Sequence, residues 1–173
     1  MGDDIAVAPD RAARVVVATG RIVVGLLWMS NAGWKVPPAF GENGNRDLYR
    51  LTAAAVDQPV FPPFSFVIEH VVLPNFRFFG WIVLLVEIAL GAFLTFGIAT
   101  RLWAVVGGVH GTVIALCVLR LRGEWPWSYY LMIVANLLLF ATAAGRFAGI
   151  DGVVRPALAT SRARVARLWW KVS

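Results

Sequence analysis

Four stretches of this chain are apolar for long enough to cross a hydrocarbon layer, which takes roughly 20 residues of helix. They fall at about 13–34, 78–96, 102–119 and 127–144. Asp10 suits the N-cap of the first, and Pro37-Pro38 stops it, because proline lacks the donor that continues a helical ladder. Gly97-Ile98-Ala99-Thr100-Arg101 separates the second stretch from the third. Gly97 fits a helix C-terminus and Thr100 fits the cap of the next helix. So tight a turn makes these two spans antiparallel neighbours. The predicted fold is an all-α, integral membrane four-helix bundle over residues 1–145, with an outer connection at 35–77 and a basic tail at 146–173.

The outer connection carries Pro37, Pro38, Pro59, Pro62, Pro63 and Pro74, yet two parts of it read as structured. From Arg46 to Val56, helical spacing places Leu48, Leu51 and Ala55 on one face. Phe64 to Leu73 is apolar but too short to span, so a helix lying at the interface or dipping into it is expected. It contains Glu69 and His70, a second candidate pair whose plain reading is a solvated loop pair.

Composition agrees with the pattern. The chain is 59% hydrophobic and 15% charged, where soluble domains run at about 45–50% and about 25%. Mean hydropathy is +0.70. The formal net charge of +6 would point a soluble protein toward nucleic acid. Here the arginines concentrate outside the apolar runs and no basic, aromatic-interleaved soluble domain exists, so nucleic acid is not an expected partner. The basic residues set topology instead. Arg11, Arg14, Arg101 and the tail fall on one side of the membrane. Acids balance the basic residues of the outer connection, so both termini are expected in the cytoplasm. Arg21 interrupts the apolar core of the first stretch, which argues for a retained helix rather than a cleaved leader. From Pro156 onward the tail can form a helix with Leu158, Val165, Trp169 and Val172 on one face, and Arg164, Arg167 and Lys171 on another. Such a helix would lie on anionic lipid. The lone cysteine, Cys117, excludes an intrachain disulfide and reads as a small apolar side chain.

Polar residues within the spans carry the functional signal, because an unpaired charge at mid-helix costs roughly 2.5–3.5 kcal/mol. They are Arg21, Glu87, His110 and Asn136, with Ser30 and Asn31 nearer the outer end of the first span. Counted from the inner ends at about 1.5 Å per residue, Arg21, His110 and Asn136 lie roughly 12 Å deep and Glu87 roughly 14 Å. Each helix thus brings one polar group to a common layer. Trp28 shares the face of Arg21, and Gly107-x-x-x-Gly111 surrounds His110. An Arg21–Glu87 ion pair is the simplest way to satisfy both charges. His110 can relay a proton, and Asn136 can donate and accept. Two readings stay open. The layer fixes helix register, or Arg21, Trp28, Glu87, His110 and Asn136 hold a quinone headgroup while Glu87 or His110 exchanges protons, with Arg21 as a third catalytic candidate. No metal-ligand pair, P-loop, dinucleotide fingerprint or internal repeat is present.

The segment Gly80-Trp81-Ile82-Val83-Leu84-Leu85-Val86-Glu87-Ile88-Ala89-Leu90-Gly91, continuing to Phe96-Gly97-Ile98-Ala99-Thr100-Arg101-Leu102-Trp103-Ala104, resembles the DoxX/DoxD family. Arg21, Gly25 and Gly33-Trp34-Lys35 are similar too, and the resemblance covers about residues 14–145. It implies a four-helix bundle in a bacterial plasma membrane. It also implies a membrane subunit of a quinone-linked oxidoreductase such as thiosulfate:quinone oxidoreductase, with other membrane or redox subunits as partners. The alternative is a non-catalytic accessory or assembly subunit of a respiratory or envelope complex. A transporter would want a water-filled cavity and a repeat, and the sequence shows neither.

Overall fold

A computed structural model describes residues 10–42, 48–159, 169–170 and 172–173. Every regular element among them is helical: α1 (Arg11–Ala32), α2 (Leu48–Asp57), α3 (Pro62–Val67), α4 (Phe76–Phe96), α5 (Thr100–Val118), α6 (Pro126–Thr142) and α7 (Ile150–Ala159). By length and apolarity α1, α5 and the helical run through α4 can cross a membrane, while α6 is a shorter apolar helix of 17 residues. Residues such as Val16, Leu27, Leu85, Val109 and Leu137 are largely exposed. In a soluble domain so much apolar surface would be an aggregation hazard; here it is the lipid-facing side of a membrane helical bundle.

Glycine sets the helix pairing. α1 and α4 run antiparallel with Gly25 and Gly91 at their crossing, where a Cβ on Gly25 would strike the Thr95 side chain and come within 2.7 Å of its backbone nitrogen. Gly107 of α5 faces Asn136 of α6 so closely that a Cβ would overlap its Oδ1. The resulting core is Trp28, Leu90, Leu94, Ala104, Leu139 and Ala144, and a second cluster of Ala32, Phe40, Phe76 and Leu84 closes the outer end.

The outer connection departs from expectation in one respect. α2 lies where the spacing predicts it, with Ala55 fully buried. The following apolar segment is not a separate helix. It joins α4 in one helical path from Pro62 to Phe96, 35 residues long. At about 1.5 Å per residue that is roughly 50 Å, well beyond the ~30 Å hydrocarbon core. The path is broken by a π-turn at Ile68–Val72 and a 3-10 turn at Leu73–Asn75. Pro74 accounts for the break, since its ring excludes the regular ladder at that point.

At the opposite end, the tail helix begins at Ile150, six residues before the expected Pro156, which lies inside it. The predicted amphipathic face through Arg164, Val165 and Arg167 lies outside the described residues.

Candidate functional site

Glu87 is the centre of a polar cluster, and it is fully buried. Lys35 Nζ stands 2.5 Å from its Oε2, an ion-pair contact. Asn31 donates from Nδ2 to its Oε1 at 2.8 Å, and His110 Nε2 lies 3.2 Å from the same oxygen. A carboxylate oxygen only accepts, so a proton on His110 Nε2 is what makes this contact a hydrogen bond. Lys35 is buried too, just past the end of α1. It also donates to the Asn31 carbonyl at 2.7 Å and lies 4.2 Å from the centroid of the Trp34 ring. Burial pulls its ammonium below the usual lysine range, while the charge and hydrogen bond of Glu87 oppose that pull.

The predicted Arg21–Glu87 pair does not form. Arg21 donates from Nη1 to the carbonyls of Leu94 at 2.5 Å and Thr95 at 2.6 Å, and from Nη2 to Ala148 at 3.1 Å. Counting depth from the helix ends assumed that those ends are level. They are not: Arg21, ten residues into α1, already meets Leu94 and Thr95 in the last turn of α4, so α1 starts further inward than α4 ends and Glu87 meets the outer end of α1 rather than its middle. Arg21 and Asn31 are ten residues apart on α1, which is roughly 15 Å. The single polar layer is therefore two sites.

The Arg21 site is closed by Asp151, which is fully buried. Its Oδ1 accepts from the Ala99 amide and its Oδ2 from the Thr100 amide, both at 2.8 Å. The cap of α5 is thus a distant carboxylate, not the Thr100 hydroxyl the sequence suggested. Arg21 takes the negative end of α4 and Asp151 the positive end of α5, so both charges match the helix dipoles at the turn. Gly97 occupies that turn at φ 68°, and a Cβ there would come within 2.9 Å of Arg21 Nη1.

Asn136 belongs to neither site. It donates to the Met132 carbonyl at 2.8 Å and packs on Gly107, which makes it an α5–α6 contact. Trp28 backs the Glu87 cluster, with its ring 5.4 Å from that of His110. Glu69 and His70 stand 3.8 Å apart with more than half of each side chain exposed, away from the buried cluster.

A cavity of about 490 Å³ lies against the Glu87 cluster. Its polar wall is Asn31, Lys35, Glu87 and His110. The rest is mainly apolar: Leu48 and Leu51 from α2, Phe64 and Ile68 from the α3 path, Phe76, Phe79 and Val83 from α4, and Ile114 and Cys117 from α5. Glu124 and Tyr129 also line it, with the tyrosine hydroxyl donating to the carboxylate. An apolar chamber with a few convergent polar groups is the usual form of a small-molecule site. Sequence reasoning found Glu87 and His110 and missed Lys35. The Asn31–Lys35 spacing of four, one helical turn, was the available signal.

No curated protein and no solved structure matches the chain. The family model described as TQO small subunit DoxD matches residues 57–171. The matched range carries Glu87, His110, Asn136 and Asp151; Arg21, Asn31 and Lys35 precede it. A match over that share of the sequence settles the family: the chain belongs to the DoxD family.

Proposed function

We propose that this chain is the quinone-binding membrane subunit of a thiosulfate:quinone-type oxidoreductase, multi-pass in a bacterial plasma membrane with both termini cytoplasmic, working with further redox subunits. The observation that carries the reading is the Glu87–His110–Lys35–Asn31 wall on a mainly apolar chamber. The donor set suits a quinone. Lys35 and Asn31 offer N–H groups to a ring oxygen, His110 can exchange a proton at its ring nitrogens, and the phenylalanines suit a flat ring and a prenyl chain. A quinone bound there would accept two electrons and two protons. Glu87 holds the proton balance of the wall: it keeps Lys35 charged and orients His110 through Nε2, and a proton gained by the imidazole is stabilised by the adjacent carboxylate.

The reading as an accessory or assembly subunit draws on the same cluster. Lys35 and Glu87 neutralise each other, so the wall is also a self-sufficient register pin. Purification with native partners in gentle detergent separates the two readings. Thiosulfate-dependent quinone reduction should fall at least tenfold in Glu87→Gln and His110→Phe while the partners still co-purify. Wild-type rates in both variants, with the complex intact, would defeat the quinone reading. Loss of the partners in both variants would favour the assembly reading.

A further inference from the structure

The Glu87 chamber lies where α4 and α5 separate. Outward from the Gly97 turn the two helices are joined first by Phe93, stacked on Trp103 with ring centroids 4.7 Å apart, and then by Glu87 against His110. Beyond that contact Phe79 and Val83 of α4 and Val113 and Cys117 of α5 stand on the walls of the cavity. α2 roofs it. Near one end of α2, Tyr49 packs edge-on against Phe76 of α4, and just past its other end the Pro59 carbonyl accepts from Arg120 beyond α5.

The side toward the lipid is built differently. Val67 of α3 and Val113 of α5 line the chamber and are also 46% and 38% exposed. Val109, one turn before Val113, and Ile82, beside Phe79, lie on the exposed surface. The chamber wall thus runs into the lipid-facing surface of α4 and α5, and none of these positions carries a charge. At about 1.5 Å per residue Val113 stands roughly 20 Å from the start of α5 and Val83 roughly 20 Å from the end of α4, within the ~30 Å hydrocarbon core. The described part of the connection before α2 lies on another face of α4, where Phe40 meets Gly80 and Trp81 and Glu42 pairs with Arg77.

We propose that this opening, bounded by α4, α5 and the α3 path, is a lateral portal through which a long-chain quinone enters from the bilayer, and along which its hydrocarbon chain lies once the ring is bound. The inference rests on the quinone reading and adds to it the route and the class of ligand. A chamber of about 490 Å³ suits a substituted ring. A long prenyl chain overfills it and has to leave by an apolar exit that keeps it out of water. Val67, Phe79 and Val113 provide that exit. A second groove, between α1 and α6, also reaches Asn31 and is lined by Leu27 and Leu131. Trp28, only 2% exposed, stands between that groove and His110 and closes that side.

The test is photo-crosslinking of the full-length protein, purified with its native partners in lipid nanodiscs, by a prenylated quinone carrying a diazirine midway along its chain. Crosslinks that unlabelled quinone competes away should fall on Ile82, Val109 or Val113. Val113→Trp, at the exposed rim, should cut them about fivefold or more. It should also raise the KM for the prenylated quinone about fivefold, while the KM for the same ring without a chain stays within about twofold. Leu27→Trp, an exposed substitution in the α1–α6 groove, should change neither readout. Competed crosslinks on Leu27 or Leu131 would overturn the portal and leave the quinone reading standing. Equal KM changes for the two quinones in Val113→Trp would do the same, by assigning the effect to a disturbed chamber. The absence of any competed crosslink would also overturn the portal, and if thiosulfate-dependent quinone reduction were absent as well, the quinone reading would fall with it.

Discussion

Arg21 and Glu87 are both sealed from solvent in the same bundle, yet their partners differ in kind. The guanidinium ends on backbone carbonyls, with Asp151 on the backbone amides across the same turn. The carboxylate ends on side chains, two of which, Lys35 and His110, can change protonation, beside a chamber large enough for a small molecule. Backbone partners cannot be exchanged without opening the fold, so the first site is glue. Side-chain partners can trade protons with an occupant, so the second is where chemistry is expected. A buried charge in a membrane helix is thus a weak guide to function until its partners are known.

Substitutions should separate the two sites. The largest effect is expected at Asp151→Ala, which strands two buried amides and leaves Arg21 without its nearest counter-charge. It should cost about 3–5 kcal/mol in reversible unfolding from mixed micelles. Asp151→Asn should recover part of the loss, and equal stability of the alanine variant and the wild type would remove the glue assignment.

Lys35→Met should cost about 3 kcal/mol by leaving Glu87 uncompensated. Adding Glu87→Gln should restore some of it, for a coupling of about 1–3 kcal/mol in the double-mutant cycle. Additive single losses would mean that the pair is not coupled. By contrast, Arg21→Met combined with Glu87→Gln should be additive within about 0.5 kcal/mol, because the two sites share no partner.

His110→Phe removes one hydrogen bond and should lower stability by about 1 kcal/mol, while its effect on turnover is the tenfold loss set out above. A stability loss with unchanged turnover would move His110 from the chemistry to the scaffold. The smallest effect belongs to Glu69→Gln. Its exposed partner is 3.8 Å away, so the unfolding free energy should shift by less than about 0.5 kcal/mol.

The helices were legible because each is a local pattern. Apolar runs, Asp10, Gly97 and the prolines mark their ends within a few residues, and α1 at Arg11–Ala32 sits two residues from its expected bounds of 13 and 34. Glu87 and His110 were legible because charge inside an apolar run is costly wherever it occurs. Lys35 and Asp151 were not. Lys35 reads as one of several charges in a loop, and Asp151 as the single acid of a basic tail. Both are buried because their segments fold back on helices more than fifty residues away in sequence, Asn31 meeting Glu87 across 56 residues and Asp151 meeting Ala99 across 52. Periodicity carries no information about such closures. The outward prolongation of α4 was hidden by Pro74, which reads as a boundary but here only interrupts the helical path.

The capping of α5 has a consequence for how the protein is made. Ala99 and Thr100 leave the ribosome some fifty residues ahead of Asp151, which satisfies their amides. The α4–α5 hairpin therefore inserts with one end chemically unfinished, and its last latch arrives only when synthesis has passed α6. Gly145 leaves room for that arrival, since any side chain there would collide with both Thr100 and Asp151. A nascent chain stalled before Asp151 would hold all four apolar helices and still lack the group that locks two of them together. Membrane quality control would meet the opened turn, not a missing span, as the mark of an incomplete molecule.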